Sequence, residues 1–140
     1  KGEPFAETPV ESWETVMRVN LTSTFLMFRE AVRRMREQGG RLVGITSGQG
    51  ADRGVAQQAA YSASKAGVVR LVEAIAAEYE GTGLTASALA PSTLLFGDED
   101  ASATGVSVEE VASWCVRLCG PEGEAYSGQV VRAYGTADGP

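Results

Sequence analysis

Apolar residues recur near the start of the chain at spacings of three and four: Trp13, Met17, Leu21, Phe28, Val32 and Met35, with Thr24 in phase. That is the period of a helix with a buried stripe, and the stripe is wide enough to predict cover on more than one face. Thr8-Pro9-Val10-Glu11 reads as its start, with Thr8 as the N-cap, Pro9 at the first helical position and Glu11 as the capping-box partner; such a cap contributes about 1 kcal/mol. Gly39-Gly40 reads as its stop. Leu42-Val43-Gly44-Ile45-Thr46 is a short apolar run between turn residues and predicts a buried strand. A polar, Gly-containing loop follows from Ser47 to Gln58. The next helix is predicted from about Tyr61 to Tyr79, with Val68, Leu71, Val72, Ile75 and Ala76 inward and Gly81 and Gly83 ending it. Leu84 to Ala90 predicts a second strand closed by Pro91, and Ser92 to Gly105 a loop. Ser107-Val108-Glu109-Glu110 is a second capping box, opening a helix to about Leu118. Gly128 to Tyr134 predicts a third strand, and the Gly/Pro-rich tail from Gly135 a frayed end.

Helix, strand, helix, strand, helix, strand is the order of an α/β fold with parallel strands and right-handed crossovers. The whole of 1–140 reads as a single partial domain. Three parallel strands leave the first with a naked edge and the first helix without a full sheet face to cover. The chain opens on Lys1 in a loop-like Lys-Gly-Glu-Pro-Phe, the look of a chain whose start lies upstream.

The formal net charge is −6. It argues against a nucleic-acid backbone or an anionic membrane as partner, because both need clustered Lys and Arg. The one basic run, Arg33-Arg34-Met35-Arg36, sits at a helix end, where cations complement the helix dipole. There is no histidine, which removes Ser-His-Asp and Cys-His catalysis and most transition-metal sites. Cys115 and Cys119 are four apart on a predicted helix and read, with Trp114, as core residues carrying reduced thiols. No apolar run is long enough to span a bilayer and no signal-peptide pattern is present, so the expected address is cytoplasmic.

Tyr61 and Lys65 stand one helical turn apart and project from the same face. A free tyrosine has a pKa of about 10 and is a poor acid or base at neutral pH, but an ammonium within a few ångströms favours its phenolate. Such a pair can pass a proton. Ser47, fourteen residues before Tyr61, ends a buried strand, where a hydroxyl can hydrogen-bond a substrate oxygen from fixed backbone. Ligands in open parallel sheets gather at that end of the strands.

These residues bring the chain to a known family. Trp13 to Phe25 with Asn20 inside, Gly40 to Ser47, Tyr61 to Gly67, Leu84 to Pro91 and Ser127-Gly128-Gln129-Val130 resemble the short-chain dehydrogenase/reductase family over nearly the whole chain. The resemblance implies the C-terminal half of a Rossmann-like doubly wound parallel sheet, with three parallel strands and three main helices. It implies a catalytic tetrad of Asn20, Ser47, Tyr61 and Lys65: Tyr61 the acid/base, Lys65 the group that tunes it and holds the nicotinamide ribose, Ser47 orienting the carbonyl, and Asn20 kinking its helix and holding a relay water. It implies NAD or NADP, met by Tyr61, Lys65, Pro91, Ser92 and Thr93, with Ser47, Gln49, Leu94 and Phe96 toward the substrate. No metal is expected. Two departures stand out. The Gly-rich nucleotide turn of the family's N-terminal half does not occur in these residues. Pro91-Ser92 replaces the usual Pro-Gly, and Phe96 stands where a nicotinamide-contacting threonine is sought, so either Thr93 replaces it or the contact is lost.

Taken singly, each tetrad residue has a plainer reading: a strand-end hydroxyl, a helix-surface amide, a half-buried aromatic, a solvated charge. Their order and spacing together carry the chemistry. Leu94, Leu95 and Phe96 read equally as a lid edge or as packing. Asp98-Glu99-Asp100 reads as a solvated loop tip. The expected function is an NAD(P)-dependent oxidoreductase acting on a small carbonyl or alcohol, a 3-oxoacyl thioester or similar ketone by family-level analogy. The family also implies a homodimer or homotetramer through the stripes of the first two helices. The alternative is a non-catalytic interaction module that dimerises or binds a partner through the same helices.

Overall fold

Strand β2 runs Leu84–Pro91 between β1 (Gly40–Ile45) and β5 (Val130–Ala133), in a parallel sheet of order β1-β2-β5. A computed structural model describes residues 2–97, 99 and 103–136. The register places Gly40 opposite Leu84 and Ile45 opposite Leu89 on one side, and Ala88 opposite Val130 and Pro91 opposite Ala133 on the other. The sequence of β2, Leu-Thr-Ala-Ser-Ala-Leu-Ala-Pro, carries no charge and mostly small side chains, and its residues 84–90 are all buried. Small residues in the middle strand let helices approach both faces closely.

Side chains alternate between the two faces with a period of two. Leu42, Ala86 and Ala88 point to one face, where they meet Val72 together with Phe28, Val32, Met35 and Ile75. These come from α4 (Ala59–Glu78) and α2 (Ser23–Met35). Leu89, Val131 and Ala133 point the other way, onto Leu118 and Val106, with Val111, Trp114 and Tyr126 around them. The cover here is α5 (Val108–Cys119), and Trp114 meets Tyr126 edge to face at 5.9 Å. Ser107 caps α5 as expected, its hydroxyl accepting from Glu110 N–H at 3.1 Å.

The first helix differs from its expected form. Pro9 has ψ 144° and is itself the N-cap, so α1 runs Val10–Met17. Thr8 is not the cap. Its hydroxyl donates to the Pro4 carbonyl at 3.1 Å, closing the 3-10 turn Phe5–Glu7. That bond and the extended Pro9 leave no capping box with Glu11. A π-helical turn, Arg18–Thr22, joins α1 to α2.

Three further features were not read from the pattern. The Ser47–Gln58 loop opens with a one-turn helix, α3 (Gly48–Ala51). The Ser92–Gly105 loop begins with β3 (Leu94–Leu95), which pairs in parallel with β4 (Val106–Ser107). Cys119 is exposed and Cys115 half-buried, because the last turn of α5 turns Leu118, not Cys119, into the core. Arg33 and Arg34 pair with Glu30, and Arg36 with Glu37, all in solvent. Glu99 accepts from the Phe96 and Gly97 amides at 2.6 and 2.8 Å, while Asp98 and Asp100 lie outside the described residues. No helix among the described residues is long and apolar enough to cross a membrane.

Leu89 is fully buried against the α5 face, whereas Met27 is 71% exposed on α2. Leu89→Ala should lower the free energy of unfolding by about 2–5 kcal/mol, and Met27→Ser should change it by under about 0.5 kcal/mol, both read from urea midpoints.

Candidate active site at the strand ends

The C-terminal rim of the sheet gathers the turns that follow β1, β2 and β5. Ser47 lies two residues past β1, with extended backbone (φ −156°, ψ 166°), and is the N-cap of α3. Its Oγ accepts from the Gly50 amide at 3.3 Å. The turn lies directly on α4: a Cβ built on Gly50 would stand 2.4 Å from Lys65 Cβ, so a side chain there would displace one element from the other. Ser47 is thus held above the first turns of α4, which carry Tyr61 and Lys65.

Lys65 is tied to the end of β1 twice over. Its Nζ donates to the Ile45 carbonyl at 3.2 Å, and its own backbone carbonyl accepts from Thr46 Oγ1 at 2.7 Å. The ammonium sits 5.8 Å from the centroid of the Tyr61 ring. Burial holds its pKa below the usual lysine value. An ammonium has three donors, so the bond to Ile45 leaves others for ligand hydroxyls.

Asn20 lies inside the π turn, a frequent device for redirecting one residue within a helix. Its Nδ2 donates to Ser64 Oγ at 3.1 Å, and Ser64 Oγ donates to the Tyr61 carbonyl at 2.8 Å. Ser64 is fully buried and was not singled out from the sequence. Its place three residues after Tyr61 on the inner face of a helix was the available signal. Tyr61 and Lys65 thus stand together at the start of α4, Asn20 reaches the same helix through Ser64, and the turn that begins at Ser47 rests on Lys65 through Gly50.

Pro91 closes β2 opposite Ala133. Ser92 follows, its N–H donating to the Ala133 carbonyl at 3.1 Å and its hydroxyl to the Tyr134 carbonyl at 2.9 Å. Thr93 is exposed, as are Leu94 and Phe96, the latter at 73%. Gln49 is half-buried in α3, and its Oε1 is buried without a hydrogen-bond partner. A cavity of about 340 Å³ lies beside Tyr61, lined by Thr8, Ser12, Val16, Gln57 and Gln58 among others. Gln57 has a left-handed φ of 62°. Among the described residues no group of Asp, Glu and Cys is arranged to hold a metal ion.

A separate cluster joins α3 to the end of β5. Asp52 accepts from Arg132 Nε at 2.7 Å and from the Tyr134 hydroxyl. The Tyr134 hydroxyl holds the Asp52 carboxyl below its usual range, with Arg132 adding to the effect against some desolvation. Burial, and then the Asp52 carboxylate, push Tyr134 up to about 12.

The family profile of the short chain dehydrogenases matches residues 1–101. The chain belongs to this family. A short-chain type dehydrogenase/reductase of Picea abies is 35% identical over 151 residues, covering 96% of this chain and 55% of the relative. The 3-oxoacyl-acyl-carrier-protein reductase FabG of Vibrio cholerae is 31% identical over 140 residues, covering 89% of this chain and 57% of its own length. Among solved structures, acetoin dehydrogenase from Enterobacter cloacae superposes with a TM-score of 0.86 at 26% identity, covering 96% of this chain and 59% of that one. This short-chain dehydrogenase chain thus spans somewhat over half the length of the relatives it matches.

Because Tyr134 ionises from a raised pKa, it should remain protonated well past pH 10 and titrate near pH 12, as read from its ring ¹³Cζ resonance. Asp52→Asn removes a negative neighbour and should move that midpoint down, but not fully back to the ordinary value of about 10, since burial is the larger cause. A wild-type midpoint at the ordinary tyrosine value would contradict the described contact.

Proposed function

We propose that the chain forms the catalytic part of an NAD(P)-dependent oxidoreductase that interconverts a small carbonyl compound and its alcohol. The observation that carries this reading is the placement of the Lys65 ammonium 5.8 Å from the Tyr61 ring, under the turn that begins at Ser47. Tyr61 is the proton donor and acceptor. The Lys65 charge supports the negative charge that builds on the phenol oxygen during transfer. Ser47, anchored at the N-cap of α3, orients the substrate oxygen. Asn20, bonded to Ser64 next to Tyr61, holds the water through which the proton is relayed.

A nicotinamide nucleotide, when bound, gives or takes the hydride at the carbonyl carbon. The residues present fit such a group. Lys65 has donors left for ribose hydroxyls, and Pro91, Ser92 and Thr93 form the rim where its amide would rest, Thr93 with its side chain outward. NAD and NADP are equal choices on these residues. The cavity beside Tyr61 is of the size small-molecule sites have, and Tyr61 is the one proposed catalytic residue that lines it. Gln49, Leu94 and Phe96, on the turns after β1 and β2, are assigned to the substrate by the family resemblance alone. The similarity to a 3-oxoacyl-acyl-carrier-protein reductase and to an acetoin dehydrogenase supports a ketone substrate, a 3-oxoacyl thioester or a small hydroxyketone.

The assembly is a homodimer or homotetramer through α1, α2 and α4. In support, Val19, Phe25, Leu26 and Met27 expose apolar side chains on the π turn and the first turns of α2, with Phe25 44% and Met27 71% exposed.

In protein that carries this chain together with its nucleotide-binding residues, Tyr61→Phe should lower kcat at least about a hundredfold with the circular dichroism unchanged. NADH or NADPH should bind saturably to the same protein, as followed by nicotinamide fluorescence. Turnover unaltered by Tyr61→Phe would sink the mechanism.

A further inference from the structure

The end of β5 and the residues that follow it touch each of the neighbouring turns. Arg132 Nε and the Tyr134 hydroxyl both donate to the Asp52 carboxylate, and Asp52 is the C-cap of α3, whose N-cap is Ser47. On its other side the Tyr134 carbonyl accepts from Ser92 Oγ at 2.9 Å. Tyr134 is therefore bonded at its hydroxyl to the turn that begins with Ser47, and at its carbonyl to the loop of Pro91, Ser92 and Thr93. The backbone behind it packs closely on Gly105. Gly135 has φ +60°, and a Cβ there would lie 2.2 Å from the Gly105 carbonyl oxygen. Thr136 N–H donates to that same carbonyl at 2.9 Å.

A four-residue helix such as α3 does not hold its shape by itself, because its few hydrogen bonds do not offset the cost of nucleation. Its shape comes from what its ends and its middle touch. Ser47 closes one end through the Gly50 amide, Gly50 rests on Lys65 in the middle, and Asp52 carries the other end across to β5. The half-buried Tyr134 stays protonated far above neutral pH and Asp52 stays ionised, so the donor and acceptor of this link do not exchange roles under working conditions.

We infer that Tyr134, held by Asp52 and Arg132, is a positioning residue that fixes the Ser47 turn relative to the Pro91–Thr93 loop. The inference rests on the oxidoreductase reading above, in which Ser47 orients the reacting carbonyl and the loop after β2 borders the cofactor. Hydride transfer needs the two partners in near-attack geometry, and misplacement by about 1 Å can cost about a hundredfold in rate. A single residue that ties both borders of the site sets that distance. The Tyr134 phenol touches neither substrate nor cofactor in this account and acts through Ser47.

The test is Tyr134→Phe in protein that carries this chain with its nucleotide-binding residues, read in two ways. Amide hydrogen exchange needs no turnover. The variant should exchange the Gly50 and Ala51 amides about tenfold faster, while the Ala88 amide in β2 keeps its wild-type rate. Unchanged exchange at Gly50 and Ala51 overturns the link itself. In steady-state assays kcat should fall about tenfold with the KM for nucleotide within about twofold, the split expected when orientation and not binding is lost. The same substitution in a Ser47→Ala background should then cost less than about twofold, because the group it positions is gone. Unchanged kcat, or the full loss recurring in the Ser47→Ala background, overturns the positioning role while leaving the oxidoreductase reading intact. A wild-type protein with no turnover overturns that reading and the positioning role with it, even where the exchange result stands.

Discussion

The burial of β2 on both faces is the constraint from which the rest of the molecule follows. A strand whose residues 84–90 are all buried must hydrogen-bond on both edges and be covered above and below. Its alanines and serine keep the sheet thin enough for α4 to press onto one face, where Val68 and Val72 are fully buried. The close approach goes as far as Gly44 of β1, where an added Cβ would stand 2.9 Å from Val68 Cγ1. With α4 pinned to the sheet at this depth, the position of its first turns is no longer free. Tyr61 and Lys65 stand at the rim because Val68 and Val72, two turns further on, are in the core.

Strand end and helix start are then joined by polar bonds rather than by packing alone. Thr46 Oγ1 to the Lys65 carbonyl, and Lys65 Nζ to the Ile45 carbonyl, bind the same residue of α4 to the last residues of β1. Each such bond contributes only about 1 kcal/mol, so their weight lies in direction more than in stability. They hold the lysine stem against the strand and keep its charged end near the Tyr61 ring. The same economy operates on the other side of α4, where Ser64 relates Asn20 in the π turn to the Tyr61 backbone. A π turn adds a residue to the helical circuit and so re-aims Asn20 without breaking the helix.

Much of this was legible in the sequence, because it is written in local patterns. The strand at Leu84, the inward face of α4 and the Ser107 cap follow from apolar period and cap chemistry, and the Tyr61–Lys65 pair follows from helical spacing. What was not legible depended on competition between local alternatives or on distance along the chain. The Thr8 hydroxyl had two uses within reach, and the 3-10 turn before it took the bond that a capping box would have needed. Cys119 and Leu118 are neighbours on one helix, and only the roll of α5 against β5 decides which is buried. The one-turn α3 has no period to detect. Asp52 and Arg132 are separated by 80 residues, and no single-chain pattern pairs an exposed acid with an exposed base at that range.

The replacement of Pro-Gly by Pro91-Ser92 takes its meaning from the same rim. A glycine at that position offers only backbone. Ser92 keeps the backbone bond, N–H to the Ala133 carbonyl, and adds a side-chain bond to the Tyr134 carbonyl. The added hydroxyl therefore has a partner, and that partner also reaches the Ser47 turn through Asp52. A β-carbon at position 92 restricts the backbone more than glycine does. Here that restriction works with the hydrogen bond and not against it, since both hold the loop to β5. Ser92, Tyr134 and Asp52 thus form one chain of contacts along the strand ends, and the side chain that serine adds at position 92 is part of a tie between the loop after β2 and the Ser47 turn.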